Sequence, residues 1–148
     1  MKRYGAWQGR AATAEAMAWL VLARLLVAQV PFGRWRRWLG APVAAQPGDP
    51  RLRLDANLAQ RRLARAVERA TARLPGESRC LARAMALHWM LRRRGLGGVL
   101  HIGVLPGAAR GTLDDLHAWV TRFGEVVIGA SDEAHNALFA AANPAGPN

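Results

Sequence analysis

The sequence predicts an α+β domain in which N-terminal helices precede a helix packed on a small antiparallel sheet. Apolar residues suit helices over 11–30, 51–74 and 80–94, and strand-like alternation begins only after Gly95. The strand-like stretches are short and separated by glycine-containing turns.

The 148 residues make one domain. Residues 1–40 read as an N-terminal apolar helical part, 41–50 as a linker, 51–142 as the core and 143–148 as a disordered tail. The first helix, over 11–30, is apolar nearly all round, which predicts packing on at least two sides. Pro31 and Gly33 stop it, and 34–39 form a short second piece ending at Gly40. Pro42, Pro47, Gly48 and Pro50 mark the linker.

Residues 51–74 predict an arginine-rich helix. Leu58, Leu63, Ala66, Val67 and Ala70 form its apolar face, with Arg61, Arg62, Arg65, Arg69 and Arg73 opposite. Pro75-Gly76 breaks it, and Ser78 is placed to cap the next helix, which carries Cys80 near its second position and runs to Arg94. Arg92, Arg93 and Arg94 then put cations at the negative helix end, and Gly95 stops it. Residues 99–105 alternate as a strand. Residues 117–122 and 125–129 predict a hairpin around Phe123-Gly124, and 131–142 a closing helix.

The net charge is +11, almost wholly from arginine, and only one cysteine is present. A lone cysteine excludes an intramolecular disulfide and a cysteine-rich zinc site, so nothing points to an oxidising compartment. Lys2 and Arg3 before the apolar stretch 14–30 imitate a signal peptide. Glu15 and Arg24 interrupt that stretch and no small-residue cleavage pattern follows, which predicts a cytoplasmic protein. Trp35, Trp38 and their flanking arginines allow a weak contact with the inner membrane surface. The basic helix has no interleaved aromatics and no recognised motif, so no specific nucleic-acid binding is expected.

The chemistry converges on Cys80, which opens a helix where unpaired N–H groups and the macrodipole stabilise a thiolate. Of the four histidines, His88 lies on the same helix, about 12 Å along at about 1.5 Å per residue, and cannot reach the thiol. His135 is expected to be exposed and His101 to be structural. His117, on a strand beside the helix start, is the expected partner, with Trp119 shielding the pair from water. Helix cysteine followed by strand histidine is the arrangement of papain-like and transglutaminase-like sites. A two-residue hairpin loop would pair Arg122 with Glu125 and set His117 opposite Ala130. Asp132 would then lie on a diagonal of the same face and orient the imidazole.

The runs Cys80-Leu81-Ala82-Arg83-Ala84-Met85-Ala86-Leu87, His101-Ile102-Gly103-Val104 and His117-Ala118-Trp119-Val120 resemble one known family. It is that of the transglutaminase-like cysteine peptidases of lasso-peptide biosynthesis, the microcin-processing B-type proteins. The resemblance is strongest over 75–140 and looser over the N-terminal helix. It implies that Cys80 and His117 are catalytic and that an Asp about twelve residues past the histidine orients it. Position 129 here is glycine, so that residue does not transfer, and Asp132 stands as a substitute. The resemblance implies a free-standing peptidase that removes the leader from a lasso-peptide precursor. A separate leader-recognition protein would act in trans and an ATP-dependent macrolactam cyclase would follow. No metal or organic cofactor is implied. The competing expectations are a catalytically impaired scaffold of the same pathway and an arginine-rich nucleic-acid-binding protein.

Overall fold

The computed structural model describes residues 2–43, 58–76, 79–104, 116–122, 125–131 and 135–143, with side chains from Gln8 onward. Helix α1 (Lys2–Gln29) is followed by α2 (Phe32–Trp35), a 3-10 helix (Arg36–Leu39) and strand β1 (Ala41–Val43). Helices α3 (Leu58–Arg73) and α4 (Cys80–Arg93) come next, then β2 (Gly98–Val104), β3 (Leu116–Arg122), β4 (Glu125–Ile128) and β5 (Asn136–Asn143). The five strands form one antiparallel sheet in the order β1-β5-β2-β3-β4. The domain is α+β, as its sequence predicts.

Helix α4 is the centre of the molecule. Its residues from Ala84 to Leu91 are buried, because α1 and α3 cover one side and the sheet the other. Leu100, Ile102, Ala118 and Val120 meet it from β2 and β3. Burying a Leu- or Met-sized side chain contributes about 1.5–3 kcal/mol, so this seam holds the two layers together. Two polar ties set its ends. Arg94 Nη2 reaches Glu15 Oε2 of α1 at 2.6 Å, and the guanidinium holds the Glu15 carboxyl below its ordinary range. At the other end Arg24 Nη1 donates to the Pro75 carbonyl at 2.7 Å and Nη2 to that of Gly76 at 3.2 Å.

Several sequence expectations are corrected. The first helix packs through one face, Ala16, Leu20, Ala23 and Leu26, while Val21 and Leu25 on the other are 43% and 55% exposed. Within it Gln8–Gln29 has a mean hydropathy of 1.6, long and apolar enough to cross a membrane by length and composition. Residues 41–43 of the expected linker form edge strand β1, paired with β5. Leu58 is 60% exposed, and Gln60 takes the buried place, its amide oxygen accepting from Arg122 Nε at 3.0 Å.

The largest correction concerns 131–142, expected as a helix. Residues 136–143 instead fill the slot between β1 and β2, pairing with both. Alanine-rich segments favour helix locally, but two open strand edges and a buried face override so small a propensity. Asn143, expected in a disordered tail, is buried, and its Nδ2 donates to the His88 carbonyl at 2.7 Å. The expected Ser78 cap, the rest of the linker and the tail beyond Asn143 lie outside the described residues.

Candidate active site

Helix α4 begins at Cys80 itself, with Arg79 as an extended N-cap (φ −62°, ψ 154°) that makes no side-chain cap bond. The thiol therefore sits one position nearer the positive helix end than the sequence predicts, where first-turn amides have no intrahelical acceptor. Its Sγ lies 3.7 Å from the Leu116 carbonyl oxygen at the start of β3. Burial alone pushes the Cys80 thiol up. The His117 side chain, the amides of Ala118 and Leu81 and the imidazole charge outweigh that and bring it below its ordinary value.

His117 shows the reciprocal shift. Its hydrogen bond to Cys80 raises it most, burial opposes this, and the Gly129 carbonyl and the thiolate charge raise it further. Opposite shifts on two touching groups favour a thiolate–imidazolium pair. The structure thus brings the Cys80 and His117 side chains together.

The imidazole is oriented by main chain. His117 Nε2 donates to the Gly129 carbonyl oxygen at 2.7 Å, which leaves Nδ1 to face the thiol. Arg122 pairs with Glu125 as the hairpin predicts, but the register slips between Val120 and Thr121, so that Val120 faces Ile128 and Thr121 faces Val126. A β-bulge of this kind adds one residue, Val127, and re-aims the strand beyond it. The uniform register that sets His117 opposite Ala130 therefore fails. Asp132 lies outside the described residues. The Gly129 carbonyl holds one ring nitrogen of His117, and Cys80 interacts with the same imidazole.

Gly129 is confined to glycine here. Its φ is +83°, and an added Cβ would lie 2.5 Å from the Ala118 carbonyl oxygen and 2.9 Å from Trp119 Cα. A carboxylate side chain at this position is barred in this conformation, and the backbone carbonyl occupies the orienting position.

Behind His117 stands a column of rings. Trp119, fully buried, stacks on His117 at 6.0 Å and on His101 at 5.2 Å. Gly103 makes room for the indole, since a Cβ there would lie 2.9 Å from two of its ring carbons. His101 is buried: Nε2 meets Thr121 Oγ1 at 2.8 Å, and burial lowers its pKa to about 4. His88 is fully buried, bonded to the Leu39 carbonyl, and lowered to about 4, chiefly by burial. His135 departs from expectation. It is 8% exposed, with its ring centroid 4.7 Å from that of His117, because the chain enters β5 rather than a surface helix.

A cavity of about 310 Å³ opens at the thiol. It is lined by Cys80 at the start of α4, by Ile102 of β2, by Leu116, His117 and Ala118 of β3, and by Arg24, Val27 and Ala28 of α1. The sequence shows Arg24 only as a charge interrupting an apolar run, whereas its bonds to Pro75 and Gly76 tie α1 to the approach to Cys80. Arg24 and Glu15 are the two charges that interrupt the apolar stretch 14–30, and that interruption was the signal available.

A mostly apolar cleft with an activated thiol is suited to acyl transfer through a thioester. The family model of the transglutaminase-like superfamily matches residues 13–140, most of the chain. The chain belongs to the transglutaminase-like superfamily. This superfamily includes cysteine peptidases. The match takes in α1 from Thr13 onward, so the helix that walls the cleft is part of the superfamily domain rather than an appendage. No curated protein and no solved structure matches the chain significantly.

Proposed function

We propose that this transglutaminase-like protein is a cysteine peptidase that removes the leader from a ribosomally synthesised lasso-peptide precursor. The observation that carries the peptidase reading is the contact between Cys80 and His117, whose pKa values move in opposite directions. The resemblance of the Cys80 helix and of the strands bearing His101 and His117 to the B-type processing proteins supplies the substrate class.

In this reading the Cys80 thiolate attacks the carbonyl carbon of the peptide bond joining leader to core. The oxygen becomes an oxyanion that the Cys80 main-chain N–H, at the helix start, is placed to receive. The His117 imidazolium gives its proton to the amide nitrogen, so the core departs with a free α-amino group and the leader stays as a thioester on Cys80. Water, deprotonated by His117, then releases the leader acid and restores the thiol. Trp119 and His135 keep bulk water from the back of the imidazole. The freed amine is the nucleophile that an ATP-dependent macrolactam cyclase requires.

A cleft of this size grips only the residues around the cut, so precursor selection is assigned to a separate recognition protein acting in trans. The exposed arginines of α3, Arg62, Arg65 and Arg73, offer it an electrostatic docking face. Purified chain, precursor and recognition protein should yield leader and core of the masses expected for one hydrolysed bond. Cys80→Ala chain should yield neither. An impaired scaffold is not preferred, because the Gly129 carbonyl occupies the imidazole nitrogen that a family carboxylate would hold.

A further inference from the structure

We propose that the outward face of α1, together with the Trp38 corner beside it, rests on an anionic membrane surface. Ala11, Ala14, Ala18, Val21 and Leu25 recur at alternating spacings of three and four, and all five are exposed. No charge falls among them. Thr13, Ala16, Leu20, Ala23 and Leu26 are buried on the opposite face, so this stripe is apolar helix surface left uncovered by its own fold.

The edge of the stripe distinguishes a membrane from an arbitrary partner. Leu22 continues it into a groove of about 540 Å³ lined by Trp19, Trp38, Trp89, Arg92 and Arg93. Trp38 is 51% exposed and held by its own backbone, its carbonyl accepting from Trp89 Nε1 at 3.0 Å and from Arg92 Nη1 at 3.2 Å. Its neighbours Arg36 and Arg37 are exposed as well. An apolar stripe bordered by a half-exposed indole and arginines matches the layers of a lipid interface: acyl chains, carbonyl region, anionic headgroups. Lying in the plane is the geometry the packing permits, because the opposite face of α1 is committed to α3 and α4.

Flotation of the full chain with vesicles of phosphatidylcholine, alone or containing phosphatidylglycerol, tests this. The chain should float with the anionic vesicles only, and salt should release it. Since any strongly basic protein is drawn to anionic lipid, the variants decide. Arg36→Glu with Arg37→Glu should weaken binding by about tenfold or more. Arg62→Glu with Arg65→Glu on α3 makes the same change in net charge and should do far less. Leu25→Gln with Trp38→Gln should weaken binding at unchanged charge. The alkylation rate of Cys80 verifies that each variant is folded. Equal loss from both arginine pairs would reduce the attraction to diffuse charge and overturn the proposal. So would the absence of flotation, or binding that only detergent reverses, which would mean a spanning helix. If Leu25→Gln and Trp38→Gln instead abolish stimulation by the recognition protein while no vesicle binds, the face belongs to a protein and the proposal fails.

Discussion

The Nε2–H of His117 donates to the carbonyl oxygen of Gly129 at 2.7 Å. One backbone oxygen thereby fixes the imidazole tautomer and leaves Nδ1 as the proton acceptor beside Cys80. A carbonyl carries no full charge, so it stabilises the imidazolium less than a carboxylate would. The Cys80 contact, the largest influence on His117, supplies the stronger part of the shift.

Gly129→Ala should destabilise the protein by about 2 kcal/mol or more, because a left-handed residue with a Cβ costs about 1–2 kcal/mol before any overlap. The overlap is with main chain, which cannot rotate away. Gly129→Asp should fail in the same way rather than restore a carboxylate to the site. Asp132→Ala should retain most thiol reactivity. Thermal melts and alkylation rates of the three variants check this, and a Gly129→Asp protein more reactive than its parent would show that the carbonyl is dispensable.

Cys80 lies below its ordinary value and His117 above its own, and both shifts raise the share of the thiolate–imidazolium pair at intermediate pH. Iodoacetamide should therefore modify Cys80 with a midpoint below the ordinary thiol value of about 8.5. Cleavage should be bell-shaped, lost at low pH as the thiolate protonates and at high pH as the imidazolium deprotonates. His117→Ala should move the alkylation midpoint up and lower cleavage by about 10²–10⁴. His101→Ala should leave the midpoint in place.

His88 and His101 are held neutral, with pKa values of about 4, chiefly by burial. The unfolded chain binds their protons below about 6.5 and the folded chain does not, so stability falls with pH between 6.5 and 4. Each can contribute up to about 3 kcal/mol to that loss. Melting temperatures measured from pH 7.5 to pH 4 should drop steeply. His101→Phe, which keeps a ring against Trp119 and removes the titration, should flatten the decline.

The helix order, the hairpin and the pairing of Cys80 with His117 were legible because each rests on local signals: Pro75-Gly76 before the cysteine, apolar spacing within α4 and alternation in β3. The rest depends on pairing between distant segments. Nothing local in 136–143 records that two strand edges await it, so alanine composition misleads and His135 is misplaced with it. The bulge at Val127 leaves no composition mark, yet it decides what orients His117. Gly129 read alone is a missing carboxylate. Its positive φ and its carbonyl become visible only in three dimensions.

The arginine face of α3 should matter for partner-dependent cleavage only. Arg69 is already committed to α1, with Nε donating to Thr13 Oγ1 at 3.1 Å, so its reversal would also loosen the fold. Reversing Arg62, Arg65 and Arg73 to Glu should blunt stimulation by the recognition protein, more so at low ionic strength, and leave unassisted cleavage unchanged.

The most direct measurement is mass spectrometry of the precursor after incubation with the chain and its recognition protein, using parent, Cys80→Ala and His117→Ala proteins of equal helix content. The parent should release a leader acid and a core amine from a single cut, and a rapid acid quench should trap the leader as a thioester on Cys80. His117→Ala should be slow and Cys80→Ala inert. Cleavage by Cys80→Ala at the parent rate would contradict the assignment of Cys80 as the nucleophile, and with it the peptidase reading of this site.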